Sequence, residues 1–385
     1  MTPGARAAAA IDVLDRWLAG TPVEQALTNW ARASRFAGSG DRRAVRDLVF
    51  DAVRCRRSFA AWGGAETGRG LVLGGLRAAG RDPGGPFSGQ GHAPPPLTAA
   101  EAAAGAVPQG NAARDIPDWL EPPLRAALGA EFEAVTARLR SRAPVFLRVN
   151  AARATRDAAQ ARLIAEGVAT LPHPLAKTAL EVTENAERIG QTACFSEGLF
   201  ELQDAASQAV IQALPLAQGM RALDLCAGGG GKALAMAAAG ACVWAHDAAP
   251  ARMRDLPARA ARAGARISMT ATPEAPAPFD LVLADVPCSG SGAWRRSPEG
   301  KWRLTPEALA TLARTQADIL DRAAGLVARR GWLAYATCSL LAEENEAQAA
   351  GFALRHPGFS LHHQRRISPL EGADGFFLAL FARAA

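Results

Sequence analysis

Two of the six cysteines stand where a structural thiol is uncommon. Cys288 lies in the run FDLVLADVPCSGSG and Cys338 in GWLAYATCSLLAEENE, each just after an apolar stretch of strand length. In open α/β sheets, ligands bind outside the carboxyl ends of the strands, so both thiols are expected at one crevice. With the acid Asp285 just before the first thiol, this arrangement indicates covalent nucleophilic chemistry.

The segments that must position these thiols alternate between strand and helix from about residue 196 onward. MRALDLC, ACVWAHD, FDLVLAD and GWLAYATC are typical of strands, and the segment after Thr305 is typical of a long helix that begins at Pro306. The alternation predicts an α/β fold with a doubly wound, Rossmann-like parallel sheet.

A glycine-rich loop, LDLCAGGGGKA, follows the first of these strands. A phosphate-binding P-loop would need glycine at Cys226 and Ser or Thr at Ala233, so that site is excluded. A nicotinamide dinucleotide and S-adenosylmethionine both remain compatible with this loop and with Asp247 after the second strand. The thiols favour S-adenosylmethionine. Methylation of a pyrimidine at carbon 5 uses one thiolate, which adds to carbon 6, and a second group that assists release, whereas hydride transfer uses neither.

The remainder of the chain predicts three further parts. Residues 1–80 form a helical, Arg-rich domain, 81–115 a flexible Gly/Pro-rich linker, and 116–195 a small α+β unit containing the strand PVFLRVN; 196–385 hold the catalytic domain. The net charge of +6 favours a polyanionic partner, although a GC-rich genome would also raise the arginine content. The N-terminal arginines either contact phosphate or lie on a solvated face: Arg42, Arg43, Arg46, Arg54, Arg56 and Arg57.

Composition also limits the class of protein. The six cysteines form no CxxC pair, so neither a metal site nor a disulfide scaffold is expected. The other four are expected to pack as small structural residues: Cys55, Cys194, Cys226 and Cys242. No apolar run reaches membrane-spanning length, and we expect a monomeric cytoplasmic enzyme with no membrane partner.

Taken together, these motifs resemble those of the Sun/Fmu-type bacterial RNA cytosine-5 methyltransferases, relatives of the eukaryotic Nop proteins. FELQDAASQ is similar to the family's opening motif, LDLCAGGGGK to its cofactor loop, DVPCSGSGAWRRSPEGKW to its first cysteine motif, YATCSLLAEENE to its second, and GADGFF to its closing motif. PVFLRVN resembles its RNA-recognition-like segment, and residues 1–80 a shortened form of its helical RNA-binding domain.

The resemblance implies a fold, an activity and a set of site residues. The fold would be a class I methyltransferase sheet, and the substrate a cytosine of RNA, with small-subunit ribosomal RNA expected. Cys338 would be the nucleophile, Cys288 would assist release, and Asp285 would contact the cytosine edge near the cofactor. S-adenosyl-L-methionine would be held by Cys226, Ala227, Gly228, Gly229, Gly230, Gly231, Lys232, Asp247 on its ribose, Arg252 and Asp285.

This chain departs from the family pattern at two places. The family's Ala-Pro-Gly-Gly before the lysine is replaced by glycines, so a proline is lost, and we expect Gly228→Pro to be tolerated if the loop adopts the family's usual path. The stretch ISMTATPEAPAP has Thr270 and Thr272 but no acid near the expected adenine. Alternatives remain open: DNA cytosine methylation, methylation of another RNA such as tRNA, or a non-catalytic RNA-binding assembly factor. Lys301 and Trp302 either dock RNA or simply pack.

Overall fold

A computed structural model describes all residues, 1–385. Contacts between residues divide the chain into two compact units. The first unit comprises Met1–Arg142 and Trp294–Arg303, and the second comprises Ala143–Ala293 and Leu304–Ala385. None of the helices combines the length and the apolar character that crossing a membrane requires.

The first unit is helical, as predicted for its N-terminal part. The first helix is capped by Thr2, whose side chain accepts from Ala5 N–H, and it buries Val13, Leu14 and Trp17 in the core of the unit. The helices of this unit are Pro3–Leu18, Val23–Ala33, Ser39–Arg54, Arg56–Gly63, Gly68–Ala78, Ala99–Ala103, Gly110–Arg114, Glu121–Leu128, Phe132–Leu139 and Glu299–Arg303.

The segment 81–115, predicted as a flexible linker, is packed against the helix Gly68–Ala78. Arg69 donates to the carbonyls of Pro95 and Pro96 and pairs with Glu101. Arg77 in the same helix donates to the carbonyls of Glu101 and Ala104. Arginine side chains thus satisfy the backbone of a segment that has little apolar surface of its own.

The arginines offered as phosphate contacts are largely engaged within the first unit. Arg54 is buried and donates to the carbonyl of Arg295. Lys301 is also buried, with Nζ 2.7 Å from the carbonyl oxygen of Arg54, and Trp302 Nε1 donates to the carbonyl of Val53, so both pack rather than project to a ligand. Three further arginines form ion pairs with carboxylates of the same unit: Arg46–Glu24, Arg56–Glu66 and Arg57–Asp118.

The second unit contains a small antiparallel sheet of four strands, which are β1 (Val145–Val149), β2 (Ala169–Pro172), β3 (Ala179–Glu184) and β4 (Phe200–Leu202). Their order is β2-β3-β1-β4. PVFLRVN forms its strand β1, as predicted, and the helix Arg156–Ala165 follows, capped by Thr155. Leu147, Leu163 and Phe200 lie in the core of this sheet. A short helix, Ala193–Ser196, precedes β4.

The same unit contains a sheet of seven strands: β5 (Arg221–Asp224), β6 (Cys242–Ala245), β7 (Ile267–Met269), β8 (Phe279–Asp285), β9 (Val327–Thr337), β10 (Phe359–Ile367) and β11 (Phe376–Arg383). Their order is β10-β11-β9-β8-β5-β6-β7. Strands β5 to β9 pair in parallel, but β11 pairs antiparallel with both β9 and β10, so the doubly wound sheet is mixed rather than wholly parallel.

Helices connect the strands of this sheet, and apolar clusters lie on both of its faces. Pro257 lies in the first turn of its helix, a position that needs no backbone N–H. Thr305 caps the long helix through its side chain, as predicted. The helices are Ala205–Gln212, Gly231–Ala238, Leu256–Ala263, Pro306–Leu326 and Glu346–Arg355.

Candidate active site

The two predicted reactive thiols meet beyond the carboxyl ends of β8 and β9. These strands are parallel neighbours, and Asp285 is in register with Ala336, so the segments that follow them leave the sheet side by side. Cys288 Sγ lies 3.4 Å from Cys338 Sγ. A hydrogen bond from the N–H of Gly292 to the carbonyl of Cys338 also joins the two loops.

The surroundings of Cys288 favour the protonated form of its thiol. The hydrogen bond with Cys338, and then burial, raise the pKa of the Cys288 thiol well above its ordinary value. The negative charge of Glu344 acts in the same direction. Because only a thiolate is strongly nucleophilic, Cys288 is suited to hold a proton rather than to attack.

The other four cysteines take no part in this pair. Cys55 and Cys194 are buried, as expected, whereas Cys242 is exposed and not packed. Cys226 is partly buried in the glycine-rich loop. Burial, together with the carboxylate of Asp224, raises the pKa of Cys226 to about 12, so this thiol stays protonated and unreactive.

An ion pair joins the glycine-rich loop to the end of β8. Lys232 Nζ lies 2.6 Å from Asp285 Oδ2. Burial opposes the charge on Lys232, but attraction to Asp285 and the hydrogen bond between them raise the pKa of the ammonium group above its ordinary value. Asp224, at the end of β5, is buried, and neither of its oxygens has a hydrogen-bond partner of normal geometry. Burial and the charge of Asp285 raise the pKa of Asp224 to about 7.

Asp247, expected on a ribose, lies after β6 and holds the loop that precedes the helix Gly231–Ala238. Its Oδ2 accepts from the N–H of Gly228 at 2.8 Å and from Arg252 Nη1 at 3.2 Å. Its Oδ1 accepts from the N–H of Ala249 at 2.9 Å. The structure therefore brings Asp247, Arg252 and the glycines together.

The glycine conformations correct one expectation. Gly228 has φ +52°, in the left-handed region, and its N–H is bonded to Asp247, so proline fits neither its dihedral nor its hydrogen bond. Counting back from Lys232, the family's proline falls on Gly229. The φ of Gly229 lies outside the left-handed region, and its N–H has no backbone or side-chain partner. The prediction that Gly228→Pro is tolerated is therefore wrong.

Two arginines that the sequence reasoning missed bind carbonyls of the glycine-rich loop. Arg148 of β1 donates to the carbonyl of Gly231, and Arg259 of the helix Leu256–Ala263 donates to the carbonyl of Gly229. Glu201 of β4, which is buried, accepts from Arg259 and fixes its position. The available signal was an arginine inside the otherwise apolar strand VFLRV, where burial requires a partner.

A second missed residue is Glu344, which is fully buried beside the two thiols. Its carboxylate accepts from the N–H of Ser289 at 2.8 Å and from its hydroxyl at 2.5 Å. It also accepts from Ser339 Oγ at 2.5 Å and from Gln316 Nε2 at 2.9 Å. The run LAEENE offers three acids, and the sequence alone does not tell which of them is buried.

The residues around the loop fit S-adenosylmethionine on chemical grounds. The buried carboxyl of Asp224, which has no hydrogen-bond partner of normal geometry, lies near Asp247 and Asp285, and this group of acids suits a ligand that carries an ammonium and a sulfonium charge. Gly230 has φ +79°, in the left-handed region that favours glycine, and a Cβ there would also lie 2.3 Å from Leu256 Cδ1. Near the expected adenine, Thr270 Oγ1 donates to the carbonyl of Thr272, and no acid replaces the missing one.

The strand order and the position of the loop define the class of fold, that of the class I, S-adenosylmethionine-dependent methyltransferases. The chain matches the family model described as "16S rRNA methyltransferase RsmB/F" over residues 211–381 and a "Methyltr_RsmF/B-like, ferredoxin-like domain" over 116–187. It belongs to the RsmB/F (Sun/Fmu) family.

Curated relatives agree with this membership. The chain is 34% identical over 280 residues to "Ribosomal RNA small subunit methyltransferase B" of Klebsiella pneumoniae subsp. pneumoniae, and equally to the protein of that name from Salmonella arizonae. Each match covers 68% of this chain and 65% of the relative, so the chain spans less than two thirds of their length.

Solved structures share the fold. A protein called PH0851 superposes with TM-score 0.77 at 22% identity and covers 99% of both chains. NSun6 from Pyrococcus horikoshii, solved with SFG, gives TM-score 0.62 at 18% identity over 70% of this chain and 98% of that one. At these identities the likeness concerns the fold alone.

Proposed function

We propose that this protein methylates carbon 5 of a cytosine in RNA, through a covalent adduct between Cys338 and carbon 6. The observation that carries the proposal is the pair of sulfur atoms 3.4 Å apart at the ligand-binding edge of the sheet, next to the Lys232–Asp285 pair. Ligand sites in open α/β folds lie at this edge.

The roles of the two thiols follow the family motifs, with Cys338, in YATCSLLAEENE, as the group that attacks. The raised pKa of the Cys288 thiol favours its protonated form, which suits a group that assists release. The Cys338 Sγ–carbon 6 bond makes carbon 5 nucleophilic, and after methylation the carbon 5 proton leaves and that bond breaks. Cys288, in contact with Cys338, is placed to assist this release.

The cofactor residues follow from the loop geometry. Cys226 to Lys232 would surround S-adenosylmethionine, with Asp247 on its ribose, Arg252 beside it and Asp285 between cofactor and base. When bound, this cofactor supplies an electrophilic methyl group on a sulfonium. Asp285, held by Lys232, would accept from the cytosine amino edge and stabilise the added state.

The substrate is inferred from the relatives and from the position of the thiols. The curated relatives are named for small-subunit ribosomal RNA, and we propose the same substrate here, encountered in the cytoplasm. A partly buried thiol is reached only by a base that has left its stack, which favours single-stranded or loop RNA. The expected monomeric state stays a prediction.

Single substitutions of the two cysteines test the chemistry. Cys338→Ala should abolish both methyl transfer and covalent RNA adducts, because the attacking sulfur is gone. Cys288→Ala should accumulate a protein–RNA adduct that migrates slowly on a denaturing gel. Cys242→Ala, which removes an exposed thiol far along the chain from both, is the matched control. If Cys338→Ala traps the adduct, the two roles are reversed; if neither variant changes methyl transfer, the proposal fails.

A further inference from the structure

We infer that Glu344 is a positioning residue that clamps the two cysteine loops at their reactive spacing. The inference rests on the proposed function, although the geometry that carries it is independent of the reaction. Ser289 and Ser339 each follow one of the two cysteines directly, and one carboxylate accepts hydrogen bonds from both serines.

The clamp is closed by bonds between the loops themselves. Ser291 Oγ lies 3.1 Å from Ser339 Oγ and accepts from the N–H of Leu340 at 2.7 Å. Ser289 Oγ lies 3.3 Å from Ser339 Oγ. Three hydroxyls and one carboxylate therefore form a continuous network across the gap between the loop after β8 and the loop after β9.

The position of Glu344 is itself fixed from two elements. Gln316, in the helix Pro306–Leu326, donates to Glu344 Oε1 at 2.9 Å and to the carbonyl of Pro287 at 3.0 Å. Tyr335 of β9 donates its hydroxyl to the backbone carbonyl of Glu344 at 2.5 Å. The carboxylate thus has four donors on its two oxygens, which compensates for its complete burial.

A buried acid without a cationic partner is costly unless it has a task that neutral side chains cannot do. Only an ionised carboxylate accepts at all of its lone pairs, so it alone can take the donors of both loops at once. A glutamine would turn one acceptor oxygen into an NH2 donor facing other donors. Glu344→Gln should therefore loosen the loops while keeping the volume of the side chain.

Disulfide formation between the thiols measures this spacing without any substrate. Diamide takes the hydrogen of each thiol and is reduced to the hydrazine, while a Cys288–Cys338 bond forms. In the wild type the sulfurs need to move by little more than 1 Å to reach the roughly 2.05 Å of a disulfide. Glu344→Gln should slow this oxidation by about tenfold or more, because a lost charge-assisted bond leaves the loops misaligned.

Glu343→Gln is the matched control, since Glu343 is the exposed neighbour with the same chemical change. Its oxidation rate should equal that of the wild type. In methylation assays, Glu344→Gln should lower kcat by about tenfold or more and leave the dissociation constant for S-adenosylmethionine unchanged. Ser339→Ala removes only the hydrogen bond from the loop after β9, so its oxidation rate and kcat should lie between those of the wild type and of Glu344→Gln. This variant tests the inference if Glu344→Gln does not fold.

Equal oxidation rates in Glu344→Gln, Ser339→Ala and wild type would overturn the clamp, whatever the enzyme does. Slowed oxidation in a chain that methylates no RNA would instead uphold the clamp and reject the proposed function. A fall in cofactor affinity together with kcat would also contradict the inference, because it would indicate general damage to the sheet edge rather than misplaced thiols.

Discussion

Replacing Gly228 with proline should weaken cofactor binding strongly, whereas the same replacement one residue later, at Gly229, should preserve it. At Gly228 the φ of +52° is far from the value near −65° that the proline ring imposes. The change also removes the N–H of Gly228, which donates a hydrogen bond to Asp247 Oδ2 at 2.8 Å. At Gly229, φ lies outside the left-handed region, and proline removes no hydrogen bond.

The two changes differ by a large free energy. A hydrogen bond to a charged group is worth about 1.5–3 kcal/mol. Forcing a residue out of its required backbone region costs a further ~1–3 kcal/mol. Together these amount to at least about 2.5 kcal/mol, or a loss of roughly sixtyfold or more in affinity if the loop carries the strain. Proline at Gly229 should instead stabilise the fold by about 0.4–1 kcal/mol, because it restricts the unfolded chain.

Calorimetric titration with S-adenosylmethionine measures the affinity, and thermal unfolding measures the stability. Gly229→Ala is the control for adding a Cβ, which would lie 3.1 Å from Nη1 of Arg259 and requires a small shift of that side chain. Tight binding by Gly228→Pro, or loss of binding by both Gly229→Pro and Gly229→Ala, would refute the loop geometry.

Two further outcomes follow from charged groups. Asp247→Asn should weaken S-adenosylmethionine binding by about tenfold or more. Asp255→Asn, which changes an exposed carboxylate, is the control and should leave binding as it is. If the dissociation constant is unchanged in both variants, Asp247 is not a cofactor ligand. Burial lowers the pKa of Lys301 from 10.5 to about 8, so between these values the unfolded state binds more protons and the contribution of Lys301 to stability rises with pH. Denaturant unfolding at several pH values should show that the free energy of unfolding of the wild type rises relative to that of Lys301→Met over this range. Free energies of the two proteins that run parallel with pH would contradict the prediction.

The sequence predicted the convergence of the site because parallel strands bring their carboxyl ends to one edge. Cys288 and Cys338 each follow a strand, and that pattern sufficed to place them together. The antiparallel β11 between β9 and β10 was not predicted, since strand order does not follow from the periodicity of a single strand. Packing of 81–115 was also missed, because side chains elsewhere in the chain hold it.

Residues that act on other residues were the hardest to predict. Glu344 and Arg259 touch the site only through hydrogen bonds, and several of their partners lie 28 to 58 positions away in the chain. Their types are common on protein surfaces, so no local pattern marks them. The opposite error occurred at Arg54, which was expected to contact phosphate or lie on a solvated face because its helix is rich in arginine. In the structure this side chain is buried.

The few lysines of this chain gain a physical explanation from the structure. Among 43 basic residues only three are lysine, and two of them, Lys232 and Lys301, are partly or fully enclosed. Lys232 presents one compact charge to Asp285, which the larger, planar guanidinium of arginine does not reproduce. Lys301, with a pKa near 8, can shed its charge in a buried position, which arginine cannot do. Lys301→Arg should therefore destabilise the first unit more than Lys301→Met, and equal melting temperatures for the two variants would show that the fixed charge of arginine carries no cost there.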